Sequence, residues 1–122
     1  MLINRGIPND ELEMRERQFV EALSGGYATH EHFDNLADMA NILFYAATKK
    51  QDAQILALLK AVVVAAQNIR LRHEATGKFG ANGDELTLLR SFCGIYRDFW
   101  LRQPVTLYVW ACDELTKDRT PE

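Results

Sequence analysis

Three groups of residues in this chain have the chemical character to bind something. The first is His30-Glu31-His32-Phe33-Asp34, with Asp38 beyond it. On a helix, His30, Asp34 and Asp38 fall on one face at i, i+4 and i+8, a spacing that brings imidazole and carboxylate donors together as a transition metal requires. A dinuclear carboxylate centre in a helical bundle needs Glu-x-x-His on two helices plus further glutamates. No Glu-x-x-His occurs anywhere in the sequence. The simpler reading is a solvated first turn with acids near a helix N-terminus. No metal or cofactor is therefore assigned, and His30, His32 and Asp34 are the candidates should one bind.

The second group is Arg70-Leu71-Arg72-His73-Glu74-Ala75-Thr76-Gly77-Lys78, followed on the next element by Arg90. If the two elements are antiparallel neighbours, Arg70, Arg72, His73, Lys78 and Arg90 gather at one end of the domain. Such a patch suits an anion, whether phosphate, an acidic protein or nucleic acid. Against it stands the ordinary use of basic side chains, complementing a helix C-terminus and pairing with Glu74, Asp84 and Glu85. The net charge of −3 supplies no global attraction to nucleic acid.

The third group is aromatic. Phe92, Tyr96, Phe99, Trp100, Tyr108 and Trp110 are half of the twelve aromatics and lie within nineteen residues. Phe92, Tyr96, Phe99 and Trp100 with Leu88 and Ile95 leave only a narrow polar strip on the fourth helix, which exceeds what one small core needs. Excess apolar surface of this kind indicates self-association or a partner groove. Catalytic patterns are missing by comparison. Lys78–Gly83 reads KFGANG, which matches neither phosphate-cradling glycine motif, and no serine sits in a Gly-x-Ser-x-Gly turn.

The elements that must position these groups follow from hydrophobic periodicity. Residues 1–8 form a lead-in that Pro8 keeps from being helical. Asn9 then caps a first helix running to about Leu23, closed by Ser24-Gly25-Gly26. Thr29 caps a second helix to about Lys50, with Phe33, Leu36, Ala37, Ala40, Leu43, Phe44 and Ala47 recurring at three- and four-residue intervals. Asp52 caps a third helix to about Thr76, with Gly77 at its C-cap. This third helix contains Ala53–Ala66, the most apolar stretch of the chain, whose polar members are Gln54 and Lys60 alone. Apolar residues all round predict that this helix is either sheathed completely or shared at a dimer seam, with Lys60 marking whichever side stays wet.

A fourth helix runs from near Asp84 to about Arg102. Gly94 inside it costs about 1 kcal/mol relative to alanine, a cost expected to be offset by close packing of another helix there. Pro104 to Lys117 is read as a fifth helix, although Val105–Ala111 has enough strand propensity that a dimeric two-stranded ribbon is the alternative. Residues 118–122 are expected to be a flexible polar tail, like the lead-in.

The expected fold is thus all-α, a single-domain bundle of four to five helices with a central apolar helix at about 52–76. At 122 residues the chain suits one domain with a real core. The longest apolar run is 14 residues and contains a lysine, too short for the roughly 20 that span a bilayer, and the N-terminus has no signal-peptide core. Cys93 and Cys112 sit in apolar surroundings without a CxxC pattern, which suggests buried thiols and a cytoplasmic location. The expected function is that of a non-enzymatic interaction or regulatory protein, homodimeric through the aromatic surface of its fourth and fifth helices. A nucleic-acid-binding regulator using the basic patch is the alternative, and a metal-binding helical protein the third reading. Self or another protein is the expected partner, with nucleic acid as the alternative and no membrane.

Overall fold

The computed structural model describes residues 18–119, and every regular element within them is helical. Helix α1 occupies residues 18–25, two residues beyond its expected end. Its predicted cap at Asn9 and the lead-in before it lie outside the described residues. The chain leaves α1 through Gly26, at φ +77°, while the N–H of Tyr27 donates to Ala22 O at 3.0 Å and that of Gly26 to Leu23 O at 3.3 Å. These two bonds close the helix end, and only a residue tolerant of the left-handed region permits them.

Helix α2 spans His30–Lys50. Thr29 Oγ1 accepts from the His32 N–H, and His32 Nδ1 accepts from the Thr29 N–H at 3.0 Å, so both orphan donors at this terminus are satisfied. Helix α3 spans Ala53–Thr76; Asp52 Oδ1 caps it by accepting from Ile55 N–H at 3.1 Å. It stops at Gly77, φ +79°, whose N–H donates to His73 O. Between α2 and α3 the chain reverses at Gln51, which adopts φ 56°, a left-handed conformation not anticipated from its identity. Helix α4 spans Gly83–Leu101, with Asn82 as its cap, and helix α5 spans Val105–Arg119. The strand propensity of Val105–Ala111 is overridden because Leu107 and Ala111, one helical turn apart, are both buried in the shared core. Asp118 belongs to α5 and not to a tail.

The all-α bundle is as expected. Its helices neighbour one another in the order α5–α2–α3–α4, so α3 packs between α2 and α4. The core joins Phe19, Val20 and Leu23 of α1 to Leu36 and Leu43 of α2, Leu59, Val62 and Ile69 of α3, and Leu89, Phe92 and Trp100 of α4. Sheathing of α3, however, does not occur. Ile55, Leu59, Val62, Ala65 and Ile69 are its buried residues, a single stripe, and only 22% of its most apolar 18-residue stretch is inside the protein. Two helices flank one side of it, and its opposite side meets solvent. Lys60 does lie on the wet side.

Gly94 also departs from expectation. A β-carbon placed there would touch nothing within 4 Å, so no neighbouring helix requires the glycine.

Candidate functional site

The basic segment at the end of α3 is largely committed to internal contacts. The Arg72 guanidinium forks onto the Glu85 carboxylate, with Nη2 donating to Oε2 at 3.0 Å and Nη1 to Oε1, and Nη1 also donates to Gly80 O at 3.1 Å. Glu85 Oε1 in turn accepts from the Asn82 N–H at 3.0 Å, while Asn82 Oδ1 accepts from the Glu85 N–H at 2.8 Å. The Glu85 side chain is only 8% exposed and that of Arg72 39%. The Arg72 hydrogen bonds, and next the Asn82 N–H, hold the Glu85 carboxyl below its usual pKa against the opposing effect of burial. The hydrogen bond to Glu85 in turn raises the pKa of Arg72. Arg72 is therefore a clasp across the α3–α4 loop, unsuited to an external anion. Arg70 pairs with Glu74 at 3.6 Å on the surface, and Lys78 and Arg90 are exposed. The five basic residues do not form one converging site.

His73 belongs to an aromatic cluster that the sequence did not reveal. Phe79, carried by the loop and buried, stacks on His73 with centroids 4.0 Å apart and on Phe33 at 5.3 Å. His30 meets the edge of this stack, 4.8 Å from His73 and 5.1 Å from Phe79. A single antiparallel backbone bridge between Ala28 and Phe79 fixes the loop against the α1–α2 connection. The three residues proposed as metal ligands are thus divided. His30 packs in this cluster, His32 caps α2 through its Nδ1, and Asp34 is exposed. Among the described residues no three His, Cys, Asp or Glu side chains gather as a metal site.

The aromatic residues of α4 and α5 occupy the protomer's own core. Phe92, Tyr96, Phe99 and Trp100 are buried, and Tyr108 and Trp110 are half-buried. Trp100 meets Phe99 and Tyr108 edge-on, at 4.9 and 5.0 Å between centroids, and Lys49 Nζ lies 4.3 Å over the Trp110 ring. Such edge-to-face contacts are an interior arrangement. This corrects the assignment of these six residues as an interface: Phe92, Tyr96, Phe99 and Trp100 face inward, and only the half-buried Tyr108 and Trp110 retain some exposed surface.

The surplus apolar surface lies elsewhere, on the outward side of α3 and the adjoining rim of α2. Val63 is 49% exposed, Val64 56%, Leu71 60% and, from α2, Phe44 47%. A groove of about 690 Å³ runs between the two helices, bordered by Ala40 and Phe44 on one wall and by Leu56, Lys60, Val63 and Val64 on the other. Contiguous exposed apolar surface of this sort marks an interaction site more often than it marks a monomer's ordinary exterior. By length and composition α3 also meets the measure for a membrane-crossing helix, although its inner stripe packs in the bundle. A signal for this face was present in the sequence. Its all-round apolar character left open whether a second side would be sheathed or shared, and the structure leaves Val63, Val64 and Leu71 at the surface.

Compared with protein-family models, with curated proteins and with solved structures, the chain matches none.

Proposed function

We propose that this protein is a non-enzymatic helical interaction protein that works as a homodimer, and that its association face is the outward side of α3 with the adjacent Phe44. The reading rests on one observation, the low burial of the most apolar helix in the chain. An extended apolar face of branched aliphatic side chains costs solubility unless something covers it. Closed two-fold pairing is the commonest way for a small protein to cover such a face. Lys60, Gln67, Asn68 and Glu74, exposed on the same side, are its polar members. Both cysteines are thiols, which supports a reducing compartment such as the cytoplasm.

The test is the molar mass in solution by light scattering across a micromolar dilution series. Wild type is expected to approach twice the 13.9 kDa chain mass, and Val64→Glu to remain at the chain mass with unchanged helicity. A wild type that stays monomeric throughout refutes the reading.

A further inference from the structure

We infer that the occupant of the α3 face is a second copy of this chain whose α3 lies antiparallel to the first, with Lys60 of each subunit set beside the partner's Glu74. The inference rests on the association reading above and adds its geometry. Ala57, Val64 and Leu71 recur at seven-residue intervals on α3, and so do Lys60, Gln67 and Glu74; all six are exposed. Alternating steps of three and four residues put the two rows side by side on one face of the helix, an aliphatic line flanked by a polar and charged one, and flanking charges of this kind set partner and direction in paired helices. The seam is distinct from the inward stripe of Ile55, Leu59, Val62 and Ile69, which the bundle already uses. From Ala57 to Glu74 it extends for about 25 Å at 1.5 Å per residue, long enough for a helix of similar length to lie along it.

Charge complementarity selects both the partner and its direction. Lys60 stands seven residues before Gln67, and Glu74 seven residues after it. A parallel second copy would set Lys60 against the partner's Lys60 and Glu74 against the partner's Glu74, two like-charge contacts. Reversing one helix turns each of those repulsions into an attraction, and two-fold symmetry makes it twice. In that arrangement the two rows oppose each other: Val64 faces the partner's Gln67, and Lys60 lays its aliphatic stem over the partner's Leu71 while its ammonium reaches the partner's Glu74, one turn away. Glu74 has a side chain 58% exposed, and its single contact with Arg70 is long at 3.6 Å, so its carboxylate retains room for a second cation. Phe44 borders the groove beside the seam and supplies the apolar flank for the second helix.

The test uses the full chain and measures the dimer dissociation constant by sedimentation equilibrium, with circular dichroism as the folding control. Lys60→Glu and Glu74→Lys are each expected to weaken the dimer by about tenfold or more, because each places like charges together twice. The double variant Lys60→Glu/Glu74→Lys is expected to return to near the wild-type value. Singles that leave the constant unchanged, or a double no better than the singles, overturn the antiparallel pairing; the association reading then stands or falls separately on Val64→Glu. A wild-type chain that is monomeric overturns both. The same holds for a monomer that floats with phosphatidylglycerol vesicles, which would give the face to lipid.

Discussion

Arg72 and Glu85, thirteen residues apart, form a two-pronged ion pair that closes the α3–α4 loop from inside. The pair explains the segment's conformation better than its glycines do. Arg72 holds Gly80 by its carbonyl, and Glu85 holds Asn82 by its N–H, so one guanidinium and one carboxylate tie four points of the connection together.

Removing Arg72 leaves a buried carboxylate with part of its solvation gone. Arg72→Ala is expected to lower unfolding free energy by about 2 kcal/mol, the figure being held down because the guanidinium is partly exposed. Glu85→Gln keeps the reciprocal cap and loses only charge, so its cost is expected at about 1 kcal/mol. Urea titrations of the three proteins check the order.

The same pair sets a pH dependence. The folded-state pKa of Glu85 is lowered, so its stabilisation is fully present above the ordinary glutamate range near pH 4.5 and disappears as pH falls from there through the lowered value. Wild type is therefore expected to lose more stability than Glu85→Gln as acid is added below that range. Equal slopes for the two proteins in denaturant titrations at decreasing pH would contradict the assignment.

Phe79 anchors the loop through His73, Phe33 and His30. Because it is buried, Phe79→Ala is expected to cost about 3 kcal/mol. Loss of ring stacking should also move the His73 imidazole resonances toward those of an unstructured peptide, which proton NMR reads directly.

Two backbone positions offer stabilisation. Gly94→Ala places a methyl where nothing opposes it and is expected to add about 1 kcal/mol from helix propensity. Gln51 is the only non-glycine residue among those described with positive φ, and Gln51→Gly is expected to add about 0.5 kcal/mol by relieving the left-handed conformation. Thermal or urea unfolding measures both. A destabilised Gly94→Ala would mean that something packs on that glycine after all.

Helix number, caps and breaks were readable because they are encoded locally. Thr29, Asp52 and Gly77 cap where their side chains or their lack of one dictate, and the three- and four-residue periodicity placed Leu36 and Leu43 in the core. Position within the bundle was not local. Which side chains of several apolar helices turn inward depends on packing, and α4 buries Leu89, Phe92, Tyr96, Phe99 and Trp100. The aromatic density at Phe92–Trp110 therefore marked the core, while Val63, Val64 and Leu71 of α3 were left outside. Phe79 was illegible for a similar reason, since a single aromatic in a glycine-rich loop gives no period from which to infer its partners. For the basic segment, sequence offered Glu74, Asp84 and Glu85 as partners, and geometry shows that Arg70 uses Glu74 and Arg72 uses Glu85.

On the proposed reading this protein associates through the outward side of α3. Methyl NMR of the full chain over a dilution series tests it most directly, because each side chain reports for itself. The methyl resonances of Val63, Val64 and Leu71 are expected to shift with concentration along one monomer–dimer curve, while those of buried Leu36 and Leu89 stay fixed. Concentration-independent resonances at Val63, Val64 and Leu71, or shifts confined to other elements, would contradict the account.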